Sequence, residues 1–110
     1  MGREQVDLVR GTLDMLVLKA LIWGPMHGYD VMRWLHDTSE GELDIEEGAL
    51  YPALHRMEER DWIKAEWGLS ENNRRAKFYV LTERGRRQLA AQSKGWARYV
   101  NIVARIMQTA

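Results

Sequence analysis

Residues 47–58, Glu-Gly-Ala-Leu-Tyr-Pro-Ala-Leu-His-Arg-Met-Glu, restrict the possible folds of this chain more than any other stretch. Leu50, Leu54 and Met57 recur at steps of four and three, the period of one helix face. Pro52 sits inside that pattern, where it cannot donate a hydrogen bond to the carbonyl of Gly48 and crowds it. The conflict is tolerable only near a helix start or with a slight bend, and Gly48 has no side chain to worsen it. The spacing predicts a helix from about Glu47 to Arg60, closed by Asp61, with Leu50, Leu54 and Met57 turned inwards.

The flanking segments have equally clear periods. From Gly11 to Trp23, apolar residues Leu13, Leu16, Val17, Ala20 and Leu21 form one stripe, with Asp14 and Lys19 off it. Gly24-Pro25 ends that helix. A second helix is expected from His27 or Gly28 to about Asp37, burying Val31, Trp34 and Leu35, and residues 37–42 read as a polar loop. Residues 62–67 and 77–81 have strand character, and the turn formers between them imply a hairpin with a long tip. Thr82 is placed to cap a last helix, with Glu83 in its first turn. In that helix Leu89, Ser93, Trp96, Val100, Val103 and Met107 are spaced 4, 3, 4, 3 and 4, a heptad seam. Tyr99, Ile102 and Ile106 widen it into a second stripe that one small domain cannot easily cover. The expected fold is mainly α with a small β-hairpin. It is a winged helix-turn-helix over residues 8–82 followed by a C-terminal dimerisation helix over residues 83–110.

Composition narrows the function classes. A chain of 110 residues holds one domain with a modest core, so self-association would add stability. With 45% hydrophobic and 29% charged residues it reads as a soluble globular protein. The absence of cysteine excludes disulfides and thiol chemistry and agrees with a cytoplasmic location. Residues 1–7 hold no secretory h-region, and no apolar run reaches about 18 residues, so no membrane association is expected. The net charge is zero, but residues 1–47 carry four Lys/Arg against ten Asp/Glu, and residues 48–110 carry twelve against six. Screening acts over about 8 Å at physiological salt, so a neutral chain can still present a basic face.

No catalytic pattern emerges. His27, His36 and His55 lack carboxylate or cysteine partners at ligand spacing, so no metal is expected. There is no phosphate-binding glycine loop, nucleophile motif or acidic dyad, and Ser39, Ser70 and Ser93 have no base nearby in sequence. The chain reads as a protein that is not an enzyme and needs no cofactor. Trp23, Trp34 and Trp62 are expected in the core, and Trp67 half exposed.

Several motifs in order carry a resemblance. These are Leu13 and Leu18, then Gly24-Pro25-Met26-His27-Gly28-Tyr29, then Gly48-Ala49-Leu50-Tyr51-Pro52-Ala53-Leu54. Arg56-Met57-Glu58, Ile63 and the run from Lys77 to Gly85 complete the series. Over about residues 11–105 the chain resembles the PadR family of bacterial transcriptional regulators, in its short subclass with a single helix after the wing. It departs at Asp61, where the family often has glycine. The resemblance implies that the third helix enters a DNA major groove, which is wide enough for one helix. Gly48 and Ala49 would then allow close approach. Tyr51, beside Pro52, would reach a phosphate or base, and His55 and Arg56 would extend the contact. Glu46 and Glu47 would repel phosphate there or favour the helix N-terminus. Gly28 and Tyr29 open the second helix, whose N–H groups can bind phosphate, and Arg74, Arg75 and Lys77 at the hairpin tip suit backbone or minor-groove contact. Plainer roles stay open: Tyr29, Tyr51 and Pro52 as packing residues, the cations as solvated charge.

Trp96 is the candidate ligand-binding residue. In a two-fold dimer two such indoles facing each other would form a slot for a planar aromatic small molecule. Some PadR-like repressors bind such compounds at their dimer interface, so the resemblance implies the same use; simple packing is the alternative. The expected function is a sequence-specific, homodimeric DNA-binding regulator of transcription. It would be a repressor on a pseudo-palindromic double-stranded operator, released by a small aromatic effector. A winged-helix protein-interaction module that never touches DNA is the other reading.

Overall fold

The computed structural model describes residues 7–110, so the N-terminal reading of Met1–Val6 lies outside the described residues. The elements are α1 (Leu13–Ala20) running into a tight 3-10 turn (Leu21–Trp23), β1 (Met26–His27) and α2 (Gly28–Thr38). They continue with α3 (Glu47–Glu59), β2 (Ile63–Leu69), β3 (Arg75–Leu81) and α4 (Glu83–Met107). The strands form one antiparallel sheet in the order β1-β3-β2. The architecture is a helix-rich winged helix, as the periodicities require.

The first helix ends as expected, because Gly24 adopts φ 129°, a conformation closed to residues with a side chain. Its last turn tightens to 3-10 geometry, which advances each residue further around the axis. Trp23 is thereby carried off the apolar stripe and is 68% exposed, which corrects its expected place in the core. Trp34 and Trp62 are only partly buried, packed on the core margin. The sheet holds a strand not expected from the sequence: Met26 pairs with Tyr79 and His27 with Phe78. The wing turn is also tighter than expected. Gly68 and Leu69 belong to β2 and Arg75 and Ala76 to β3, leaving residues 70–74 as the turn. That turn closes through the Ser70 N–H donating to the Arg74 carbonyl at 2.8 Å, with Asn73 at φ 59°.

Helix α3 keeps Pro52 on its exposed side and buries Leu50, Ala53, Leu54 and Met57. It closes with Asp61 in the left-handed region at φ 60°. The Asp61 N–H donates to the Glu58 carbonyl at 3.1 Å and the Trp62 N–H to the Met57 carbonyl at 3.0 Å. This paired closure is the one usually built on glycine. The core gathers Val17, Leu18, Leu21, Val31, Leu50, Leu54, Met57, Ile63 and Leu81 from every layer.

Leu89 joins that core at 6% exposure, so it packs within its own chain and is unavailable to a partner, a correction to its place in the dimerisation seam. The start of α4 is clamped to the base of the wing. Thr82 Oγ1 accepts from the Gly85 N–H at 3.0 Å and donates to the Asp61 carbonyl at 2.6 Å. A Cβ on Gly85 would fall 2.0 Å from the Trp62 carbonyl oxygen, so the backbones meet there with no room between them. Past Leu89 the helix runs on beside α1 and grows more exposed, with Trp96, Tyr99, Val100, Val103, Ile106 and Met107 all open to solvent in part.

Candidate nucleic-acid interface

A cleft of about 400 Å³ opens between the start of α2, the outer side of α3 and the wing. Gly28, Tyr29, Arg33, Tyr51, Asn72 and Lys77 line it, with Tyr79 at its back. The start of α2 is shaped by His27, whose backbone is extended and whose Nδ1 accepts the Asp30 N–H at 3.2 Å. Gly28 then lies against the Tyr51 ring, where a Cβ would fall 2.5 Å from the phenolic oxygen. The missing side chain is what lets Tyr51 of α3 lie across the first turn of α2. Tyr29 is 59% exposed, with the Arg33 guanidinium 5.7 Å from its ring centroid, so it is a surface residue rather than a core tyrosine.

Tyr79 sits behind these groups. Burial raises its phenol above the ordinary value; Lys77 opposes the rise while Glu58 and Tyr51 add to it. The phenol is therefore neutral at physiological pH and adds no negative charge to the cleft.

On α3, Glu46, Glu47, Gly48, Ala49, Tyr51, Pro52 and His55 all face outwards. Glu46 occupies the cap position without a side-chain capping bond. Arg56 does not share this face. It reaches back to Asp14 of α1 at 2.6 Å, with the Asp14 side chain only 14% exposed. One helical step of about 100° beyond His55 turns it towards α1, so in the free chain it is held by Asp14 and does not stand beside His55. His55 lies 3.1 Å from Glu59 on the exposed side. Lys77 is on the strand rather than at the tip and holds Glu58 at 3.2 Å. Arg75, also on the strand, stacks over Trp67 at 4.5 Å from the ring centroid. Only Arg74 of the three expected tip cations lies in the turn itself.

Arg33, Ser70 and Asn72 also line the cleft and were missed in the sequence. Arg33 could have been found, because it stands four residues after Tyr29 on one helix face. Nothing in the sequence marks Ser70 or Asn72, whose positions depend on the register of the turn.

A second region lies between α1 and α4. One hollow of about 450 Å³ is lined by Arg10, Met15, Gln92, Trp96 and Tyr99. A neighbouring apolar hollow of about 250 Å³ is lined by Leu8, Val9, Leu16, Leu43 and Trp96. Trp96 and Tyr99 have ring centroids 6.3 Å apart, and Gln92 Oε1 is buried without a hydrogen-bond partner among the described residues. Among those residues no group of histidines and acids could hold a metal ion, and no helix is long and apolar enough to cross a membrane.

Residues 17–91 match the description of the transcriptional regulator PadR-like family. A transcriptional regulator of known structure from Clostridium thermocellum is similar at 26% identity and a TM-score of 0.82, covering 91% of this chain and 97% of that one. A PadR family transcriptional regulator from Eggerthella lenta is 32% identical with a TM-score of 0.80, covering 92% of this chain and 86% of its own. The transcriptional regulator YqjI of Escherichia coli is 27% identical over 84 residues, 76% of this chain and 39% of that protein.

Proposed function

The chain belongs to the transcriptional regulator PadR-like family, and from that premise we propose a homodimeric, sequence-specific repressor that acts on DNA in the cytoplasm. One observation carries the reading: Tyr51 packed on Gly28 joins α2, α3 and the wing into a single cleft on one side of the molecule. Residues 8–82 form the DNA-binding unit and residues 83–110 the dimerisation helix in this reading, with Leu89 reassigned to the core of the former. Gly48, Ala49, Tyr51, Pro52 and His55 approach the major groove. Gly28 and Tyr29 meet phosphate at the start of α2. Arg74, Arg75 and Lys77 follow the adjacent backbone or minor groove.

Trp96, Val100, Val103 and Met107 meet their counterparts across a two-fold axis. The paired reading helices then stand about 34–36 Å apart, one duplex turn, which requires a pseudo-palindromic operator. A planar aromatic effector enters beside Trp96, where Gln92 Oε1 offers an acceptor. Its binding changes the angle between subunits and releases DNA, coupling by rigid-body motion.

Selection of bound sequences from random duplex DNA tests the first part. An inverted repeat is expected, and recovery of no enriched sequence overturns it in favour of a protein-interaction module. Titration of the DNA complex with aromatic compounds tests the second. Quenching of Trp96 fluorescence must coincide with weaker operator binding, and quenching with unchanged affinity refutes the coupling.

A further inference from the structure

The wing carries an exposed aromatic group whose placement is unusual for a solvated hairpin. Ile63 pairs with Leu81 and both are buried, so by the two-residue period Trp67 and Leu69 of β2 share their side with Arg75, Lys77 and Tyr79 of β3. Lys77 reaches Glu58, so this side of the wing looks towards α3 and the mouth of the cleft. Trp67 and Leu69 are 62% and 66% exposed on it.

The two cations beside Trp67 are treated differently. Lys77, directly across from Trp67, is drawn to Glu58 and its charge is compensated. Arg75, the diagonal neighbour, has no carboxylate partner among the described residues, and its guanidinium lies on the indole instead. A free arginine samples many rotamers, whereas a flat ring under the guanidinium limits them and leaves the planar fork outward. The wing thus presents one uncompensated, oriented cation on the side that faces the reading helix.

We propose that Trp67 is a positioning residue for Arg75, holding its guanidinium towards the sugar–phosphate backbone that flanks the groove entered by α3. The proposal rests on the DNA-binding reading above. Charge complementarity names the occupant: among the described residues no carboxylate pairs with Arg74 or Arg75, and a phosphate matches the guanidinium fork.

The test uses the full chain and a duplex recovered by selection, with affinity measured by fluorescence anisotropy across a salt series. Trp67→Phe keeps a ring under the guanidinium and binds like the native chain. Trp67→Ala and Arg75→Ala each weaken binding about two- to fivefold, the scale of an exposed cation–π contact. Arg75→Ala also lowers the salt slope by about one, and the Trp67→Ala/Arg75→Ala double variant is no weaker than Arg75→Ala alone. Unchanged affinity for Trp67→Ala, or losses that add in the double variant, overturns the proposal. Native protein that binds no duplex removes the reading beneath it, whereas native binding with an indifferent Trp67→Ala removes only this inference. Thermal melting of each variant separates both results from misfolding.

Discussion

Helix α3 and the second half of α4 both display aromatic and apolar side chains to solvent, yet their surroundings differ. On α3 the apolar positions are covered by the chain's own core, and what remains outside is Tyr51, Pro52 and His55 among charged neighbours at the edge of the cleft. On α4 the chain's own residues border Trp96 on one side, but further along Val100, Val103, Ile106 and Met107 are exposed and have nothing polar to offer. Isolated apolar side chains are normal on a surface, but a contiguous stripe marks a contact with another apolar surface. A face with polar aromatic edges beside a cleft lined by Arg33 and Lys77 suits a polar polymer, and a bare aliphatic stripe suits another copy of itself.

The largest effect should come from charging the stripe. Val103→Glu buries an unpaired carboxylate in any interface formed there, a cost on the order of several kcal/mol. Sedimentation should show self-association weakened by at least about a hundredfold, with the monomer's helix content preserved. An unchanged assembly would mean that the α4 stripe is not the contact surface.

Two glycines sharpen it further. Gly85→Ala sets a Cβ against the Trp62 backbone, which cannot swing aside, so denaturant unfolding should register a loss of about 2–3 kcal/mol. Gly28→Ala meets only the far end of the Tyr51 side chain, so stability should change by less than about 1 kcal/mol while the displaced ring lowers operator affinity. Equal effects on stability would mean that Tyr51 is as fixed as the backbone.

Arg56→Ala should cost about 1 kcal/mol of stability through the partly exposed bond to Asp14 and leave the salt slope of DNA binding as in the native chain. A lowered slope would return Arg56 to the DNA face. The smallest change is a gain. Asp61→Gly relieves a left-handed residue and should stabilise by a few tenths to about 1 kcal/mol in urea unfolding, the more flexible unfolded chain offsetting part of the benefit.

The helices were legible because burial on one side imprints a period on the sequence, and α2, α3 and α4 follow it closely. What stayed hidden depends on contacts between elements. Strand β1 is two residues long and has no alternation to read. Leu89 fits the heptad seam as well as Val103 does, and only the packing of α1 against α4 shows that one is internal and the other free. Arg56 sits one residue past a surface histidine, and its direction became visible only once Asp14 was placed opposite. In the candidate interface, Gly28 and Tyr51 were each singled out from the sequence, but their mutual contact was not, because sequence spacing does not show which helix crosses which.

The clamp made by Asp61, Thr82 and Gly85 has a further consequence. The wing departs from and returns to the body at nearly the same point; its base is fixed by Ile63 and Leu81 in the core, by β1 and by Lys77 on Glu58, and residues 68–75 project beyond it as a tip. The length and chemistry of that tip are free to drift over evolutionary time without disturbing the core packing of α3 or the seating of the tail. Related regulators could acquire new operator preferences by editing this finger alone.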